Sequence, residues 1–270
     1  MKAIKLIGIL VVLVGAIVLV LNWKSIFPSP TPDPLPAEDK IDITAECKKI
    51  SDSWAAHDSW NDSLYQAQRT DIDQSKNMKL LSAEGFNTVN NRLREEAANK
   101  VEEGYNKALK ASPFNEAGLL RNYQGAQTLA TAEEMNNDSR VSHIIKLQDL
   151  YNKIEAFVNS NHAITPNFNG NSWTPFNQLQ GKILAQARQL RGNPLYNELA
   201  HLPKFKDGLD EGKLKDKTDG YRRNFYDTLV NQIINKVKSE ERLDYYLEIL
   251  IKEDNRSADK LGEYIGRNYN

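Results

Sequence analysis

A thiol and an imidazole share one helical stripe early in the polar part of the chain. Cys47 and His57 stand in the series Ile43, Cys47, Ile50, Trp54, His57, Asn61, Leu64 and Gln68, which recurs at spacings of four and three. A histidine activates a thiolate only within hydrogen-bond contact. Ten residues along one helix is about 15 Å, so the stripe cannot form a dyad. The expectation is a buried thiol and a partly buried histidine with a local partner.

Other chemistry-bearing residues also fall short of a constellation. Glu198 and His201 have the Glu-x-x-His spacing of a metal-binding helix. A di-iron bundle takes two such motifs and two further glutamates, whereas this motif stands alone and is closed by Pro203. Glu95/Glu96 and Glu102/Glu103 are adjacent acids, and adjacent residues point about 100° apart on a helix, so neither pair converges on one atom. Lys204 to Asp219 lacks the aspartate spacing and closing glutamate of a calcium loop and reads as a mobile, solvated connection. No glycine-rich phosphate loop and no Gly-x-Ser-x-Gly occurs. No catalytic residue, metal site or cofactor is assigned.

Binding chemistry is better represented. The segment from Asn159 to Thr174, NSNHAITPNFNGNSWT, has no charged residue apart from His162 and combines five asparagines with Ile164, Phe168 and Trp173. Segments of more than about 12 residues without secondary structure are uncommon in compact domains and are usually functional or disordered. Aromatic rings among amides can stack on a sugar and hydrogen-bond its hydroxyls, or clasp a peptide. Trp173, Phe168 and Asn171 are the candidate ligand-binding residues. The alternative is a loop pinned to the helices by Phe168 and Trp173.

The elements that must position these residues are helices. Phe86, Val89, Leu93, Ala97, Val101, Tyr105 and Ala108 form a second stripe, with Glu96/Lys100 and Glu103/Lys107 placed to pair on its exposed faces. Arg69 to Lys79 reads as a turn. Ser112-Pro113 reads as a cap with proline opening a helix, and Thr131 to Glu134 as a capping box. Val141, Ile144, Ile145, Gln148, Tyr151, Ile154 and Val158 give a further helix. Thr174-Pro175 opens another, which Gly192-Asn193-Pro194 ends. Phe225 to Leu250 is a long helix or a pair broken near Ser239, and a short helix spans Leu261 to Ile265. No alternating β-branched run suggests a strand. The fold class expected is all-α: an N-terminal transmembrane helix, then an irregular, mostly antiparallel bundle of about six helices.

Leu6 to Leu21 carries no charge, and Leu6 to Trp23 would span roughly 27 Å as a helix, against a hydrocarbon core of about 30 Å. Lys2 and Lys5 precede this run, which predicts a cytoplasmic N-terminus. No small-residue pair marks a cleavage site after it. The prolines at 28, 30, 32, 34 and 36 predict a stiff polyproline spacer. The domains expected are therefore 1–27 as a transmembrane signal anchor, 28–40 as a proline-rich linker, and 41–270 as an extracytoplasmic helical domain, with a division near 160–173. The protein would be single-pass in the inner (cell) membrane and bound to the lipid bilayer through residues 6–23.

Setting aside Lys2, Lys5 and Lys24, the 35 basic residues fall to 32 against 36 acidic ones. A mildly acidic polar part excludes a nucleic-acid partner, which would need a basic face. A single cysteine excludes an internal disulfide. The function expected is a binding or scaffolding protein of the cell envelope with a protein or glycan partner. One alternative is a hydrolase of envelope polymers using His57, His162 or His201 with a carboxylate. Another is a sensor ectodomain working through a partner membrane protein, with Gly8 and Gly15 on its pairing face.

Overall fold

A computed structural model describes residues 38–269. Helix starts are set by short polar side chains that accept from otherwise unpaired N–H groups of the first turn. Asp42 caps α1 (Ile43–Ala55), Asn61 caps α2 (Asp62–Asn77), Ser82 caps α3 (Ala83–Leu109) and Asn115 caps α4 (Glu116–Ala132). A 3-10 turn, Met135–Asn137, leads to α5 (Ser139–Asn159), whose first N–H groups are met by Asp138. Then follow α6 (Phe176–Arg191), the single turn α7 (Tyr196–Leu199), α8 (Pro203–Gly208), α9 (Glu211–Asp219), α10 (Arg222–Lys236), α11 (Glu240–Glu253) and α12 (Asn255–Asn268). The all-α class stands, and no strand occurs among the described residues.

The chain divides into two compact units at Val141/Ser142, ahead of the 160–173 region where a division was expected. In the first unit α1, α2 and α4 pack on the long α3. The buried face of α3 carries Val89, Leu93, Ala97, Val101 and Tyr105, the stripe expected from the sequence. Gly125 on α4 lets the α1–α2 connection approach, since a Cβ there would lie 2.5 Å from the Trp60 ring. In the second unit α10, α11 and α12 enclose a core of Phe225, Tyr226, Leu229, Ile233, Leu243, Tyr246, Leu250 and Leu261.

Several expectations need correction. The stripe from Ile43 to Gln68 is two helices, because the chain leaves helical geometry at residues 57–61 while Trp60 stays buried. Arg69 to Lys79 is not a turn: α2 continues to Asn77 and buries Ile72. Lys204 to Asp219 is not a solvated connection, since α8 and α9 bury Phe205, Leu214 and Thr218. Ser112-Pro113 opens no helix, because Asn115 provides the cap. The break near Ser239 is present, between α10 and α11.

The expected transmembrane helix of residues 6–23 and the proline spacer up to residue 37 lie outside the described residues. Among the described residues no helix is long and apolar enough to cross a membrane. The single-pass inner-membrane localisation is withdrawn on that finding; the expected bilayer contact through residues 6–23 lies outside the described residues.

Candidate functional site

The asparagine-rich segment of the second unit is an extended strap joining α5 to α6. From Asn161 to Asn169 its residues alternate strictly between exposed and buried, with His162, Ile164, Pro166 and Phe168 turned inward. A period of two is the signature of extended chain. Among the described residues no strand holds it; side chains of the second unit take hold of carbonyls toward its two ends instead. Lys217 donates to the carbonyl of Ser160, Tyr221 to Asn161, Lys236 to Phe168, Arg242 to Gly170 and Tyr246 to Asn171. Gln232 accepts from the Phe168 N–H at 3.0 Å through its side-chain oxygen.

The three candidate residues have different fates. Phe168 is fully buried, edge-on to Tyr246 with ring centroids 5.3 Å apart. It packs as a core residue, because an alternating chain has to plant its large apolar side chains inward. Trp173 is half-buried beside Tyr246, with centroids 5.7 Å apart, and its indole N–H is buried without a partner. Asn171 is exposed, and its side-chain oxygen accepts from Arg242 at 2.8 Å.

At the other end of the strap lies a cleft of about 610 Å³ between α5 and α6. Lys153 and Phe157 of α5, His162 of the strap, Gln186 and Gln189 of α6, and Asn193 contribute to its wall. His162 is 8 % exposed and holds a left-handed backbone, φ 53°, uncommon outside glycine. Its Nε2 is buried without a hydrogen-bond partner, and its ring lies against that of Phe157 with centroids 4.4 Å apart. Burial first, and then the Lys217 ammonium, push the imidazole below the ordinary histidine range.

The first unit carries a polar cleft of about 400 Å³ along the α1–α2 connection and α4, lined by His57, Asp62, Arg121 and Gln124 among others. His57 lies against the Asn61 amide at 3.3 Å, the local partner expected of it. Burial raises the Cys47 thiol above its ordinary value, the direction of an unreactive sulfhydryl. Glu198 of the Glu-x-x-His spacing turns to His143, 3.1 Å away, a pairing the spacing did not announce. No group of three or more His, Cys, Asp or Glu among the described residues could hold a metal ion. The helix α3 acids pair differently from expectation: Glu96 with Arg92 at 2.7 Å and Glu103 with Lys100 at 2.7 Å, while Lys107 reaches Asp58 at 3.0 Å.

The residue that local spacing missed is Glu133. The expected capping box at Thr131 to Glu134 is in fact the end of α4, and Glu133 is its C-cap. Its carboxylate has no exposed surface. It accepts from the Tyr65 hydroxyl, from Arg94 Nε at 2.9 Å and from Arg69 at 3.2 Å. Burial and the neighbouring carboxylate push the Tyr65 hydroxyl well above the ordinary phenol range, so it stays a donor. The one outward hint in the sequence was an acid placed after a helix rather than before one.

No family model matches the chain, and neither a curated protein nor a solved structure is similar to it.

Proposed function

We propose that the chain is a binding or scaffolding module whose contact is the outward row of the strap in its second unit. The observation that supports this reading is the strap itself. A long stretch without regular secondary structure is held in one conformation by at least five side-chain donors. It displays uncharged Asn161, Ala163, Thr165, Asn167 and Asn169 outward. Loops fixed on a rigid scaffold are where recognition residues concentrate, because their ordering entropy is already spent. The partner that fits is a protein or glycan surface offering hydrogen-bond donors and acceptors rather than charge.

Deleting the strap is a poor test, because it removes Ile164 and Phe168 from the core. The outward row can be changed without touching the core. Thr165→Lys combined with Asn167→Lys should leave the melting temperature within about 2 °C, since exposed substitutions move stability by no more than about 0.5 kcal/mol. In crosslinked cells the double variant should lose a partner that the unchanged chain captures. Recovery of the same partners by both forms would remove the strap from the reading.

A further inference from the structure

We infer that Asn169 is a self-modification site whose reaction the fold assists: the Gly170 nitrogen closes on the Asn169 side-chain carbonyl carbon, ammonia leaves, and water opens the resulting succinimide. The product is aspartate or isoaspartate at residue 169. This goes beyond the binding reading and needs no partner.

Asn169-Gly170 is the one Asn-Gly pair in the chain, and Asn169 is exposed. Glycine has no Cβ to crowd its nitrogen, and here it holds a left-handed backbone, φ 93°, without strain. A Cβ built on Gly170 would meet no atom within 4 Å, so that side of the pair is open to water.

The Asn169 side chain is held for attack. Its Oδ1 accepts from the N–H groups of Asn171 at 2.9 Å and Ser172 at 3.0 Å. Both bonds turn the side chain along the strap toward Gly170 rather than out into water. As the nitrogen adds, negative charge develops on Oδ1, and two preorganised N–H donors stabilise it as an oxyanion hole does. The nitrogen must first lose its proton. The Gly170 N–H makes no hydrogen bond to another described residue, so no acceptor competes with hydroxide for it. Arg242 donates to the Gly170 carbonyl and to Asn171 Oδ1, and its positive charge favours the deprotonated nitrogen.

The N–Cγ bond forms and the Cγ–Nδ2 bond breaks, while the Gly170 proton passes through solvent to the departing ammonia. Water added at Cγ gives aspartate. Water added at the main-chain carbonyl of Asn169 gives isoaspartate, with one more methylene in the backbone. No electrons change hands. Either product sets a carboxylate at the end of the uncharged outward row.

The test stores the folded full chain in ¹⁸O water at pH 8, and a second sample in the same water with urea enough to unfold it. Both are then digested with trypsin in ordinary water, and the peptide spanning residues 154–182 is sequenced by mass spectrometry. The expected result is one ¹⁸O at residue 169, partly as isoaspartate, appearing roughly tenfold faster in the folded chain than in urea. Asn161, Asn167 and Asn171 of the same peptide should remain amides over that time. The inference is overturned if residue 169 also remains an amide, if its neighbours react as quickly, or if the folded chain reacts no faster than the unfolded one. The readout needs no macromolecular partner, so its failure and that of the strap variants are independent.

Discussion

In the first unit the chain leaves α4 through Glu133, a carboxylate met by Tyr65, Arg69 and Arg94. In the second it leaves α5 through a strap whose carbonyls are met by Lys217, Tyr221, Lys236, Arg242 and Tyr246. Both arrangements hold non-helical chain against helices. The first concentrates the task in one fully buried acid with two partly exposed arginines, at 27 % and 33 %. The second distributes it over many weak contacts to neutral acceptors. Concentrated fixation makes one residue indispensable. Distributed fixation lets individual donors be lost, and leaves the outward side of the chain open for recognition.

The largest expected effect is at the concentrated end. Glu133→Ala strands two arginines and the Tyr65 hydroxyl, and should cost about 3–5 kcal/mol in urea denaturation. A loss below about 1 kcal/mol would show that the arginines simply turn to solvent, and the contrast between the units would dissolve. Next comes Phe168→Ala, which removes the strap's one fully buried ring and should cost about 3–4 kcal/mol. The contrast sharpens with Gln232→Ala, which takes one neutral acceptor from the Phe168 N–H. Its expected cost is about 1 kcal/mol, well under that at Glu133.

The smallest effect is a dependence on pH. His162 has its folded pKa below the ordinary value, first through burial and then through Lys217. The folded state therefore binds its proton less readily than the unfolded chain. Its contribution to stability is complete above about pH 6.5 and is lost as pH falls through the lower folded pKa. His162→Asn keeps a residue that tolerates the left-handed backbone and removes the titration. Urea midpoints at pH 7.5 and 5.5 should differ less in this variant than in the unchanged chain. An equal difference would assign the dependence to other groups.

What the sequence revealed follows from range. Helical stripes are local, and those of α3, α5 and α10 were legible from spacing alone. The break at residues 57–61 was not, because the connection hands the inward register from Trp54 to Trp60 and on to Tyr65 without interruption. Its signal was Asn61 followed by Asp62, a cap and a first-turn acid. In α8 and α9 the apolar positions are sparse among lysines and aspartates, so charge density outweighed the spacing of Phe205, Leu209 and Leu214. Segment 159–174 was singled out correctly as unusual, but which of its rings face inward depends on Tyr246 and Lys236, more than sixty residues away. Glu133 is likewise fixed by arginines 64 and 39 residues distant, and no local pattern reports such a meeting. The α5–α6 cleft is formed by elements that the strap separates in sequence, and so had no local sign at all.

The way the strap is gripped has a consequence for how its motion would be judged. Carbonyls toward its two ends are held, those of Ser160 and Asn161 and those of Phe168, Gly170 and Asn171, but the N–H groups of Ile164, Thr165 and Asn167 make no hydrogen bond to another described residue. Amide hydrogen exchange reports on N–H groups alone. These three amides should exchange at nearly the rate of unstructured peptide while their side chains stay in register. Deuterium uptake would mark as fluid a segment that is pinned at both ends and planted inward through Ile164 and Phe168.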